Sequence, residues 1–326
     1  MDTILEVRNL KKYFPLKVGV WKEATKKLKA VDDISFSIKR GETLGLVGES
    51  GCGKSTVGRL IAGLYEPTEG NIIFEGEDIS KKKGLTWRKR LQVVFQDPFS
   101  SLNPRMNVIS LLSEGINIHH LAKDKKEKYE KLNSLMDLVG LDKDYLKRYP
   151  HEFSGGQRQR ISIARALSVE PVFLVADEPV SSLDVSIQAQ IINLFKELKE
   201  KISLTYLFIS HDLRVIEFIS DKVAVMYLGK IVEFATRDEL FQNTKHPYTK
   251  SLLAAIPKPF VEGKIAEHIE KKALKGDIPS AIDLPEGCRF QTRCPIVEKI
   301  CLEKEPKLKE TAPGHLTACH MSNNSN

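Results

Sequence analysis

The stretch Gly48-Glu49-Ser50-Gly51-Cys52-Gly53-Lys54-Ser55-Thr56 holds residue types that can bind a chain of phosphates. It fits the pattern G-x-x-x-x-G-K-[ST], in which glycines let backbone N–H groups turn inward around an oxyanion. Amides at a helix start add partial positive charge. Lys54 would contact the outer phosphates and Ser55 would ligate Mg²⁺. The pattern G-x-G-x-x-G of dinucleotide-binding folds is absent from the stretch. These nine residues therefore predict a nucleoside triphosphate site.

Such a loop needs a strand before it and a helix after it. The apolar run Thr43–Val47 predicts the strand, and Val57–Leu64 the helix. Strands are also predicted over 3–10 and 30–40, at Asn71–Phe74 and at Leu91–Phe95. Further strands are predicted at Phe173–Asp177, Tyr206–Ser210 and Lys222–Tyr227. Between 99 and 150 the strand signal stops, and Leu111–Ile118 and Tyr129–Val139 read as helices of an insertion. Ser154 is placed to cap a helix carrying Ile161, Ala164 and Leu167, and Ile187–Ile202 reads as an amphipathic helix. Alternating strands and helices predict an α/β core with a mainly parallel sheet.

With 326 residues, a length prior suggests about two domains. A composition of 41% hydrophobic and 29% charged residues is that of a globular protein with a core. No run of 18 apolar residues predicts a transmembrane helix, and the N-terminus lacks a basic-then-apolar leader. We expect a cytosolic chain, or one peripheral on the cytosolic face of a membrane. Net charge is +7, with lysine clusters at 22–29, 81–83 and 123–131. These are solvated faces or a surface for anionic lipid. No aromatic-interleaved basic motif points to nucleic acid.

Other chemistry-bearing residues follow in a set order. Tyr13 precedes the phosphate loop and can stack on a base. Gln96 ends a strand. Ser154-Gly155-Gly156-Gln157 offers amides at a helix start. Asp177-Glu178 closes an apolar strand, where Asp can hold the Mg²⁺ shell and Glu can polarise water. His211 ends a later strand.

Together these residues resemble the nucleotide-binding subunit of ATP-binding-cassette transporters over residues 3–256. Gly48–Ser55 resembles the Walker A loop, Gln96 the Q-loop and Phe153–Gln157 the family signature, with Phe where Leu is commoner. Phe173–Asp177 resembles Walker B, Glu178 the catalytic base, Ser182-Leu183-Asp184 the D-loop and His211 the switch histidine. The resemblance implies an antiparallel β subdomain, a helical subdomain over about 97–165, and two ATPase subunits meeting head to tail. ATP would lie between the loop of one and Ser154–Gln157 of the other, with Asp184 at the interface. Mg²⁺ would be held by Ser55 and Gln96, with Asp177 in its water shell.

The excursion with Trp21, the segment His246-Pro247-Tyr248-Thr249 and a cysteine-rich tail narrow the resemblance to ATPase subunits of oligopeptide and dipeptide importers, of the F-type. It implies two permease subunits, an identical or paralogous ATPase partner and, indirectly, an extracytoplasmic binding protein. Nickel or another small solute, or a non-transport ATPase acting on nucleic acid, are the alternatives.

Composition shifts near residue 257, where we place a boundary. The segment 257–326 carries Cys288, Cys294, Cys301 and Cys319, with five, six and seventeen residues between them. In a reducing compartment such thiols point to metal rather than disulfides. Four thiols suffice for a [4Fe–4S] cluster or zinc, and the lack of a C-x₂-C knuckle weighs against zinc. His315 and His320 are possible substitute ligands. The tail is short of core-forming apolar residues, which implies a staple.

Overall fold

The computed structural model describes residues 2–17, 25–82, 84, 86–256 and 279–322. Trp21 and the charged stretch 257–278 lie outside them. The strands run β1 (Thr3–Lys17), β2 (Thr25–Lys39), β3 (Thr43–Val47), β4 (Glu69–Phe74), β5 (Glu77–Asp78), β6 (Leu91–Val94), β7 (Phe173–Asp177), β8 (Thr205–Ser210), β9 (Lys222–Tyr227), β10 (Lys230–Thr236), β11 (Lys309–Ala312) and β12 (His315–Thr317). They form two sheets, one ordered β2-β1-β4-β5 and one ordered β11-β12-β10-β9-β3-β8-β7-β6.

The small sheet is antiparallel, as the resemblance implied. In the large sheet β6, β7, β8, β3 and β9 run parallel. Parallel strands need cover on both faces. β3, β7 and β8 accordingly have every residue buried, which is why they read as unbroken apolar runs. Phe173, Val175, Leu207 and Ile209 face one way and pack with Val57, Leu60 and Ile61 of the helix Lys54–Ile61 and with Leu5, Val7 and Ile72 of the small sheet. Leu174, Ala176, Tyr206 and Phe208 face the other way, toward helices Val185–Ile202 and Leu213–Ile219.

The insertion is helical, with helices Val108–Ile118 and Lys125–Leu138 capped by Asn107 and Asp124. Helix Gly155–Leu167 begins at Ser154 with a reciprocal capping box to Gln157. The two insertion helices start a few residues earlier than the apolar spacing suggested, and in Lys125–Leu138 the added first turn is polar and carries no periodic signal.

Beyond residue 257 the tail joins the core. Strand β12 pairs antiparallel with β10, and β11 with β12, so the tail completes one edge of the large sheet. Phe290, 1% exposed, packs among Tyr227, Tyr248 and His246. The tail does have a core anchor, but it borrows the partners from upstream elements, which the tail's own composition could not reveal.

The edge is fastened by buried charge. His315 Nε2 lies 2.8 Å from Glu233 Oε1, and Nδ1 lies 3.4 Å from Glu239. Glu233 also accepts the backbone N–H groups of Lys245 and His246 at 2.6 and 3.2 Å. His315 is therefore not a free metal ligand, contrary to the expectation from sequence. Burial opposes its protonation, but the two carboxylates outweigh burial and raise its pKa. A folded pKa above the unfolded one means the native state binds more protons. That stabilisation is complete below about 6.5 and is lost as pH rises through the raised pKa. The thermal midpoint should therefore contain a component that falls above about pH 6.5, and this component should vanish in His315→Gln. Identical pH slopes for the two proteins in thermal denaturation would contradict it.

Candidate active site

Parallel strands end at one edge of a sheet, and loops there share one crevice. β3 delivers the phosphate loop to that edge, β7 delivers Asp177-Glu178 and β8 delivers His211. Gly48, Gly51 and Gly53 have φ of 159°, 78° and 110°. Gly53 has a second constraint, since a Cβ there would stand 2.0 Å from the Ala30 carbonyl oxygen. At Gly48 a Cβ would stand 2.1 Å from the Met226 carbonyl.

Lys54 is 3% exposed. Its ammonium donates to the carbonyls of Gly48 at 2.8 Å and Glu49 at 3.0 Å, with Glu178 Oε1 3.9 Å away. Ser55 Oγ donates to Asp177 Oδ1 at 2.8 Å. Burial pushes the Asp177 carboxyl up, against the opposing pull of the Ser55 hydroxyl. Glu178 holds a left-handed backbone, φ 48°, uncommon for a residue with a side chain. Its N–H donates to the Ile209 carbonyl at 3.0 Å, and its own carbonyl accepts from Ser181. Its Oε2 lies 3.0 Å from His211 Nδ1 and accepts from Gln96 Nε2 at 3.4 Å. Lys54, Gln96, Glu178 and His211, from four parts of the sequence, thus meet around one carboxylate.

Other expected residues sit around this group. Ser50 and Gly51 form the exposed crest of the loop, and Thr56 lies in the helix that follows it. Cys52 is buried, with Sγ 4.0 Å from Lys54 Nζ, and burial raises its pKa. It takes no part in the tail's thiol set. Tyr13 is on β1, its hydroxyl donating to Asp32. Ser154 and Gln157 satisfy each other in the capping box at 3.3 and 3.0 Å. Gly156 lets helix Gly155–Leu167 close on Ile187, whose Cγ2 would be 2.5 Å from an added Cβ. Asp184 stands at the start of helix Val185–Ile202, without a side-chain cap bond.

The tail thiols Cys288, Cys294, Cys301 and Cys319 line a single small cavity with His246, Phe290 and His320. His320 Nε2 is within 2.9 Å of the Lys304 carbonyl. Burial raises the thiols of Cys294 and Cys319, and pushes Cys288 up to about 11. Among the described residues, no three His, Cys, Asp or Glu side chains are gathered as a set for a metal ion.

Five contributors were not foreseen. Arg293 makes a two-pronged pair with the Glu49 carboxylate at 2.7 and 2.9 Å, and the Tyr248 hydroxyl accepts the Glu49 N–H at 2.9 Å. Arg289 pairs with buried Asp32, and Glu233 holds the start of helix Pro247–Ala254. The available signal was two arginines lying just inside the pair Cys288 and Cys294.

Comparison with known proteins gives the family of the chain. Residues 31–181 match the ABC transporter family, and residues 232–301 match the oligopeptide/dipeptide transporter C-terminal region. The chain belongs to the ATP-binding-cassette transporter family. It is 53% identical to the oligopeptide transport ATP-binding protein AppF of Bacillus subtilis, over 98% of both chains. It is 56% identical to OppF of the same organism, over 98% of this chain and 96% of that one. Among solved structures it resembles the ATP-binding cassette MJ1267 in its ADP conformation, with TM-score 0.64 and 28% identity over 78% of this chain and all of that one. It also resembles the dimeric cassette MJ0796 bound to ADP and phosphate, with TM-score 0.62 and 26% identity over 72% and 99%.

The loop geometry sets a backbone test. Gly53→Ala should destabilise the chain by about 1–3 kcal/mol, the cost of forcing a side chain into that conformation. Unchanged unfolding in chemical denaturation would contradict the reading.

Proposed function

We propose that this chain is the ATP-hydrolysing subunit of an oligopeptide or dipeptide importer. The carrying observation is the convergence of Lys54, Gln96, Glu178 and His211 on one edge of the sheet, in a chain more than half identical to two oligopeptide transport ATPases. Tyr13 would stack on adenine. The amides of Gly48–Thr56 and the Lys54 ammonium would hold the β- and γ-phosphates. Ser55, Gln96 and Asp177 are the residues that would hold Mg²⁺, which supplies charge neutralisation at the phosphates. Glu178 would accept hydrogen bonds from the attacking water and orient it in line, with His211 and Gln96 fixing the carboxylate. Catalysis of this kind is positioning and charge stabilisation.

The contacts around Glu178 involve Lys54, Gln96 and His211, and the signature Ser154–Gln157 would come from a second subunit in a head-to-tail pair in which each closes the other's site. Asp184 would lie in that interface. Gln96 joins the γ-phosphate side to the helical insertion, about 97–165, against which a membrane permease would dock. No helix of the described residues is long and apolar enough to cross a membrane. That fits a subunit held peripherally on the cytoplasmic face by two permeases. An extracytoplasmic binding protein would act only through them.

For the tail we propose a [4Fe–4S] cluster held by Cys288, Cys294, Cys301 and Cys319. All four thiols line one cavity, and their spacing lacks the C-x₂-C knuckle usual at zinc. The cluster would supply the positive charge at which thiols ionise to become ligands.

Glu178→Gln should lower ATP turnover by about 10²–10⁴-fold, the range for losing a positioned base, while ATP binding persists. Robust turnover in that variant would sink the assignment of the base. Anaerobically purified protein should be brown, with iron and sulfide that are lost in Cys288→Ser. Stoichiometric zinc without iron would reverse the assignment.

A further inference from the structure

The segment Cys288–Cys294 begins and ends at two of the cavity-lining thiols and sends one arginine to each end of the nucleotide site. At one end is Arg289, 8% exposed. Its guanidinium donates to Asp32 and to the Leu228 carbonyl, and to Glu305 at 3.0 Å. Asp32, itself 7% exposed, accepts the Tyr13 hydroxyl as well. Burial works against ionisation of Asp32, but Tyr13 and Arg289 outweigh it and hold the carboxyl below its ordinary range. The aromatic ring placed for adenine is therefore tethered to the tail through one carboxylate.

At the other end is Arg293, 9% exposed. Its fork grips Glu49, the second residue of the phosphate loop. Glu49 is out of place on charge grounds, since a carboxylate within a triphosphate cradle repels the ligand. Arg293 neutralises it with a geometry that a lysine cannot reproduce. Between the two arginines, Phe290 locks the segment edge-on against Tyr227, 5.4 Å between ring centroids, and packs at 5.5 Å on Tyr248. The Tyr248 hydroxyl in turn holds the Glu49 N–H.

We propose that Arg289 and Arg293 are positioning residues for nucleotide binding. The tail acts as a brace, Arg293 cancelling a repulsive charge in the phosphate loop and Arg289 fixing the adenine-facing ring. The proposal rests on the loop being an ATP site. The two arginines should leave different signatures. Arg293 acts at the phosphates and Arg289 at the base, so a ligand without a base separates them.

The test is equilibrium binding of ATP and of inorganic tripolyphosphate to the full chain, without turnover. Arg293→Gln should weaken both ligands about ten- to a hundredfold, the scale of a lost charge-assisted bond to a buried partner. Arg293→Lys should fall between it and wild type. The double variant Glu49→Gln/Arg293→Gln should regain most of the affinity lost by Arg293→Gln, because the repulsive carboxylate is gone. A merely structural arginine would lose affinity only in proportion to lost thermal stability, so thermal midpoints measured on the same variants separate the two roles. Arg289→Met should weaken ATP and leave tripolyphosphate unchanged. Should Arg289→Met fail to fold, Asp32→Asn gives the same comparison. Wild-type affinities in Arg293→Gln, or absence of rescue in the double variant, would overturn the Arg293 assignment. Equal losses for both ligands in the Arg289 or Asp32 variant would overturn the other. If wild-type protein itself bound neither ligand, the reading of the loop would be at fault instead.

Discussion

A buried ammonium has to be satisfied, and the site is arranged around the one on Lys54. With 3% of its surface exposed, Lys54 cannot rely on water. Two loop carbonyls take its protons, and Glu178 approaches to 3.9 Å. The Glu178 contact fixes the loop against the end of β7. The Ser55–Asp177 bond fixes it a second time, one residue along. β3 and β7 are not neighbours in the sheet, since β8 lies between them. The lysine and serine therefore bridge across β8, whose own end supplies His211. One charge thus registers three strands and the loop between them.

The catalytic half of the molecule was legible in sequence because its constraints are local. A left-handed turn needs Gly53, and a doubly covered strand needs an apolar run such as Phe173–Ala176. A helix start needs Ser154. Each leaves a mark within a few residues. The meeting of Gln96, Glu178 and His211 was legible only through the family resemblance, since nothing local says that three strand ends share a crevice. Helices Leu213–Ile219 and Pro247–Ala254 and strand β10 were not expected, and in β10 the charge of Glu233 interrupts the apolar run.

The tail was read least well, for a specific reason. Its cysteines advertise themselves, but its packing is made of single residues paired with distant ones. Phe290 has no apolar companion in its own stretch and finds Tyr227 and Tyr248. His315 looked like a spare ligand because Glu233, the carboxylate that consumes it, lies on another strand. Buried polar residues are defined by partners, and a partner more than seventy positions away leaves no periodicity to find.

The placement of the two tail arginines bears on the order in which the molecule is made. Asp32 and Arg289 are 257 positions apart, and Glu49 and Arg293 are 244 apart. A chain emerging N-terminus first has its phosphate loop, Glu178 and the helix Gly155–Leu167 long before either arginine. Contacts of such long sequence separation are also the last whose loop-closure entropy is met in folding. Until the final segment docks, Glu49 remains an unpaired negative charge at the mouth of the loop. If Arg293 acts as proposed, a chain whose tail has not docked carries an electrostatic guard against nucleotide, and docking of the tail removes it.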